Sequence, residues 1–338
     1  MRRIVALALA LAMGLSLVAC GGSSASTSTA ASAASAAAST ATSAVSKAES
    51  TTSSKGGHIF GYTCMDLTNP FHIAMRDELK KLVEADGNTL IEFDGASNQQ
   101  KQNDGIDDMI SQGIEVLFLN PVDQEGVQPA LEACQKAGVK VIAVDSNVAD
   151  TDLSATFIAS DNFIAGQQCG KKIVEDFPDG CNIAIIENPL ADSVVQRVKG
   201  LEDAISGTNC KIIDRKSIST ADAVLPTAED ILTANPDLDV FWGLNDDVSL
   251  IILGAVQSAG REDKIKVMSV DGSPSGKTSV ADGGLYATAA QSPVSISDKA
   301  YECAKTLLSG GTVEKTYSLP TTLITAENVK DNDPSNWG

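Results

Sequence analysis

Six short apolar runs in this chain each stop on a single amide or acid: LFLN at Asn120, VIAVD at Asp145, IAIIE at Glu187, FWGLN at Asn245, VMSVD at Asp271 and YATAAQ at Gln291. Continuous Val/Ile/Leu/Ala runs mark parallel strands covered on both faces by helices. Strand and helix signals alternate between them. After a strand at 58–63, Asn69-Pro70 supplies an N-cap followed by proline at the first helical position. The helix then places Phe71, Met75, Leu79, Leu82 and Val83 on one face and stops at Gly87. TLIEF, a helix ending at Gly113, the strand IEVLFL, a helix ending at Gly138 and VKVIAV follow. Such βαβ repeats predict a parallel sheet with right-handed crossovers.

After ATFIAS the pattern restarts: helix 162–177, strand NIAII, helix 193–205, strand KIID, helix 228–234, strand VFWGL, helix 248–259 and strand IKVMSV. A short strand at 285–290 and a last helix at 296–308 complete it. The fold class expected is α/β, with two doubly wound parallel-sheet lobes of similar size. Ligands of open α/β sheets bind beyond the carboxyl ends of the strands. Neutral and acidic hydrogen-bonding groups placed there suit a small polyhydroxylated ligand and suit phosphate poorly.

The N-terminus predicts where the chain works. Arg2 and Arg3 precede a short apolar core ending in Leu17-Val18-Ala19-Cys20-Gly21. That is a secretion signal at 1–19, too short for a membrane span, and its end resembles the lipobox of bacterial lipoproteins. The resemblance implies cleavage before Cys20 and acylation of that sulfur, a tether without a crossing. Segment 20–56 is nearly all Ser, Thr, Ala and Gly. It cannot bury enough surface to fold and predicts a flexible stalk, reaching on the order of 30–35 Å as a coil.

The formal charge of −19 includes Arg2 and Arg3, so the chain without its leader carries −21. That acidity argues against nucleic acid as a partner. With only His58 and His72, and no CxxC pair among Cys64, Cys134, Cys169, Cys181, Cys210 and Cys303, no metal or other cofactor is expected. Cys181 and Cys210 each precede a strand, at the same end of neighbouring strands. A disulfide between them is one reading, and six buried free thiols the other.

The ordered set LTNPFH (67–72), FLNPVD (118–123), VIAVDSN (141–147), FIASDN (157–162), VVQRVKGLEDAI (194–205), LTANPDLD (232–239), GLNDD (243–247), VDGSP (270–274) and ATAAQ (287–291) resembles the periplasmic sugar-binding proteins of the ribose-binding type, ligand-binding components of bacterial ABC importers. The resemblance runs from about Ile59 to about Ile324. It implies a periplasmic-binding-protein-like type I fold whose lobes are joined by a three-segment hinge. The lobes would be 57–160 plus 292–322 and 161–291 plus 323–338, which assigns the last helix to the first lobe.

The same resemblance implies the ligand residues. Asn69 and Phe71 match a polar contact and an aromatic wall, and Asn120 and Asp145 match hydroxyl-binding groups. Arg197, Asn245, Asp271 and Gln291 match contacts from the second lobe, while Glu187 matches none. Carboxylates accept from vicinal hydroxyls, arginine donates and amides do both. An aromatic face suits the apolar side of a sugar ring. Departures point to a roomier or differently shaped ligand than ribose: Ser146 replaces an arginine, Val270 a phenylalanine, the position near Ser219 is small where an aromatic is usual, and Met65 replaces a small hydroxyl residue. His72 replaces a second aromatic and either donates to a hydroxyl or fills space.

Three function classes follow. One is a sugar or polyol receptor, monomeric and membrane-tethered, delivering to ABC permease subunits. Another is a receptor presenting its ligand to a sensor kinase or chemoreceptor. A secreted enzyme is the third, but GSPSG (272–276) has Pro274 at its centre and misses the nucleophile-elbow pattern. No GxGxxG, Walker A, HExxH or EF-hand loop is present. Read singly, each strand-end Asn or Asp is equally a turn or helix cap, Arg197 a surface ion-pair partner and Trp242 a core residue.

Overall fold

The computed structural model describes residues 57–337. The leader at 1–19, lipidation at Cys20 and the stalk to residue 56 lie outside the described residues. The described chain begins with β1 (Ile59–Cys64), α1 (Pro70–Ala85), β2 (Thr89–Asp94), α2 (Gln99–Ser111), β3 (Val116–Leu119), α3 (Gln128–Ala137), β4 (Lys140–Val144) and β5 (Thr156–Ser160). It continues through α4 (Asn162–Asp176), β6 (Asn182–Glu187), α5 (Asp192–Ile205), β7 (Lys211–Ser217), α6 (Val224–Ala234), β8 (Val240–Gly243), α7 (Asp246–Ser258), β9 (Lys266–Asp271), α8 (Pro274–Ala281) and β10 (Ala287–Ala290). It closes with α9 (Pro293–Leu308), β11 (Thr316–Leu319) and β12 (Thr322–Thr325).

These strands form two six-stranded sheets, ordered β11-β5-β4-β3-β1-β2 and β12-β10-β9-β8-β6-β7. Every pairing in the first is parallel, and in the second only β10–β12 is antiparallel. Both sheets reverse winding direction beside their first strand, and that switch point opens a crevice at the carboxyl ends. The chain passes between sheets three times, from β5 into α4, from β10 into α9 and from β11 to β12.

Alternation along each strand explains the four cores. Val116 and Phe118 of β3 face α1 and α9, while Leu117 and Leu119 face α2 and α3. In the second sheet, Ile183, Ile185 and Trp242 pack with α4 and α5, and Ala184, Ile186 and Phe241 with α6 and α7. Trp242 is fully buried, as its core reading requires.

Several expectations shift. Helix α6 begins at Val224 rather than 228, and β10 at Ala287 rather than 285. Helix α8 lies where the sequence analysis places no element; Ser273 caps it by accepting from the Gly276 amide. All six cysteines of the described chain are buried free thiols, Cys181 and Cys210 lying just before the paired residues Asn182 and Lys211.

The tail, expected with the second lobe, divides. Val329 packs in the second half's core. Lys277 of α8, itself buried, donates from Nζ to the carbonyls of Asp333 at 2.6 Å and Asn336 at 2.7 Å. Trp337 instead joins the first half, edge-on to Phe71 at 5.4 Å and 83°. Burying a large indole against an aromatic neighbour is the physical reason.

Candidate functional site

The carboxyl ends of the two sheets face one cleft lined by Asn69, Phe71, His72 and Asp145 from the first half and Arg197, Asn245 and Asp271 from the second. Both acids sit just beyond or at strand ends with left-handed backbones, φ +64° at Asp145 and +131° at Asp271. Such geometry costs a non-glycine residue roughly 1–3 kcal/mol and clusters at functional sites. Here it turns each carboxylate into the cleft.

Asn120 and Gln291 stand one layer behind. Asn120 is fully buried, accepts from the Met65 amide and donates to Asp145 Oδ2 at 2.8 Å. Gln291 donates from Nε2 to Asp271 Oδ1 at 2.8 Å. Neither lines the cleft; each orients an acid that does. Asp145 Oδ1 and Gln291 Oε1 have no partner within the protein although both are buried. Buried acceptors without partners are uncommon and point to a donor from elsewhere.

Arg197 is 4% exposed and held from both sides. Its Nε donates to Asn162 Oδ1 at 2.7 Å and Nη1 to the Leu244 carbonyl at 2.7 Å, leaving Nη2 3.6 Å from Asp271 Oδ1. Two glycines let α4 and α5 approach closely enough to fix it: a Cβ at Gly166 would lie 1.8 Å from the Arg197 carbonyl, and one at Gly200 2.0 Å from that of Phe163.

Burial pushes Asp271 well above the usual carboxylate range, with Asp246, Asp247 and Asp145 adding to it and Arg197 opposing. Burial also raises Asp145, against Arg197, His72 and Asn120. Burial pushes His72 down, but Cys64, Asp145 and the Asp66 carbonyl outweigh it and hold the imidazole up at about 9. Its Nδ1 lies 2.9 Å from that carbonyl oxygen, so it carries the proton and donates. Asp246, behind the site, accepts from the Thr288 hydroxyl at 2.7 Å and the Ser273 amide at 2.7 Å.

Sequence reasoning missed Asn188, Ala191, Ser193, Val194 and Leu244, which also line the cleft. They sit in or just after loops at the ends of β6 and β8, where no periodicity singles them out. Glu187, left out above, pairs with Arg215 at 3.3 Å away from the cleft.

Among the described residues no helix is long and apolar enough to cross a membrane. The sequence profile of the family described as periplasmic binding protein domain matches residues 60–312. The ribose import binding protein of Bacillus subtilis is 29% identical over 278 residues, covering 82% of this chain and 90% of that protein. The fructose import binding protein of Bifidobacterium longum is 27% identical over 292 residues, covering 83% and 88%. The crystal structure of the Caulobacter myo-inositol binding protein bound to myo-inositol superposes with a TM-score of 0.76 at 30% identity, covering 81% of this chain and 95% of that one.

Proposed function

This chain belongs to the periplasmic binding protein family, and on that premise we propose that it captures a monosaccharide or related polyol between two closing lobes and delivers it unchanged to an ABC importer. In this reading the lobes are 57–160 plus 292–322 and 161–291 plus the tail from 323, of which Trp337 reaches across to Phe71 of the first. Lipid at Cys20 holds the protein on the outer side of the membrane.

One observation carries the reading: two buried strand-end acids from different halves, Asp145 and Asp271, line one cleft with a fixed guanidinium. Acids at both walls and an arginine beside one of them suit a neutral ligand rich in hydroxyls, which donate to carboxylate oxygens and accept from Nη2. Phe71 offers its face to the ring's C–H side. Asn69 and Asn245 line the same cleft and add amide donors. Closure excludes water and strengthens each bond. The ribose and fructose import proteins among its relatives fit the same chemistry.

Isothermal titration of the full chain against pentoses, hexoses and inositols tests this. One-to-one binding, with the sugar recovered intact, is expected; silence across all three classes overturns it.

A further inference from the structure

Residues 333–337 tie the second half to the first at a point with no slack. Val329 holds the preceding stretch in the second half's core. Beyond it Asp333 shapes a tight turn: its Oδ1 accepts from the Ser335 amide at 2.8 Å and its Oδ2 from Asn336 Nδ2 at 3.1 Å. The turn aims two carbonyls, those of Asp333 and Asn336, at the ammonium of Lys277 in α8, 2.6 and 2.7 Å away. Lys277 is 2% exposed. Burial pushes its pKa down, with Asp333 and Asp246 opposing. A buried cation is costly unless its donors are met, and this turn meets two of them.

The very next residue belongs to the other half. Trp337 packs against the first half's core, edge-on to Phe71 with ring centres 5.4 Å apart. Consecutive Cα atoms lie about 3.8 Å apart, so a single peptide link separates the Asn336 anchor from the Trp337 contact. Hinge motion that parts the halves beside α1 and α8 must therefore withdraw the indole from Phe71 or strip Asn336 from Lys277. Phe71 also lines the cleft, so the indole backs the ring that a ligand would meet.

We propose that residues 333–337 are a latch that favours the closed form, with Trp337 a positioning residue that holds the Phe71 ring in the cleft wall. The latch acts with or without ligand, since neither of its contacts includes one. It slows release, because a bound sugar leaves when the halves part. This goes beyond the sugar-binding reading above and rests on it for the role of Phe71. The alternative is a segment tied down for local order, which acts on thermal stability alone.

Three full-chain variants separate the cases: Trp337→Ala, at a half-buried position, Trp337→Phe and Lys277→Met. Small-angle scattering reads the unliganded shape. Release of a radiolabelled probe, chased with unlabelled sugar, reads the exit rate. The probe is whichever of D-ribose, D-fructose, D-galactose and myo-inositol the wild-type chain binds tightest. Trp337→Ala and Lys277→Met should show a larger unliganded radius of gyration and release the probe about two- to tenfold faster. Trp337→Phe keeps an aromatic edge on Phe71 and should restore both values. An unchanged radius and exit rate in Trp337→Ala overturn the latch and leave the sugar-binding reading standing. So does a lowered melting temperature with neither change. If the wild-type chain binds no probe, the sugar-binding reading falls, and an unchanged radius then overturns the latch as well.

Discussion

The hydroxyl of Ser146, just past β4, lies 2.7 Å from that of Ser193 in the first turn of α5, and the Ser193 amide donates to Ser146 Oγ at 3.2 Å. The two residues follow strands of different sheets, β4 and β6, and both are buried. A second tie runs from the Gln124 amide to the Leu190 carbonyl at 3.1 Å. The halves are therefore joined directly across the cleft as well as through the three connecting strands of chain.

Ser146→Ala removes one such tie. A net hydrogen bond contributes about 0.5–1.5 kcal/mol, so sugar affinity should fall about two- to tenfold. Titration gives the affinity, and small-angle scattering should show the unliganded variant more open. Unchanged values in both would show that the pair plays no part in closure.

Asp145→Ala should weaken binding about tenfold or more while the fold survives, because it deletes an acceptor with no protein partner at Oδ1. Arg197→Ala should do more. It strands Asp271, Asn162 and the Leu244 carbonyl together, and leaving one member of a buried pair unpartnered costs roughly 3–5 kcal/mol. Circular dichroism melts alongside titration distinguish the two variants.

Affinity should decline on acidification. Burial raises Asp145 and Asp271 in the free protein, and ligand hydroxyls favour the ionised carboxylates, so binding lowers both pKa values and releases protons. The loss therefore sets in as pH falls through the raised values, above the ordinary ~3.9 of an aspartate. For the unliganded fold the sign reverses. The stability these raised acids contribute is complete below the unfolded value and is lost as pH rises through the folded ones. Calorimetry in two buffers of different ionisation enthalpy reads the proton count; no proton released at any pH above the ordinary aspartate range would contradict this.

Gly166→Ala should lower melting temperature and affinity together, since its Cβ would lie 1.8 Å from the Arg197 carbonyl and α5 must shift. Gly254→Ala is the control. A Cβ there meets nothing within 4 Å, so mid-helix alanine should raise stability by ~0.5–1 kcal/mol without touching affinity.

Much of this was legible in the residues. Buried parallel strands leave uninterrupted apolar runs, and a run must end where the crevice begins, so Asp145, Asn245 and Asp271 announced themselves. Depth was not legible. Asn120 and Gln291 carry the same strand-end signature as the acids, yet each turns its amide toward a neighbouring carboxylate rather than the cleft. Asn188 escaped because a loop residue carries no period, and Ser193 because a small polar residue in a helix's first turn reads as part of its cap. Trp337 against Phe71 is a contact between opposite ends of the described chain that no local pattern encodes.

That contact gives the protein an optical handle. Trp242 is sealed in the second half's core, a steady background emitter, whereas Trp337 abuts the very ring that walls the sugar cleft. Ultraviolet emission of the unlabelled protein thus has one sensitive source beside the guest, and a titration followed by colour shift needs no dye.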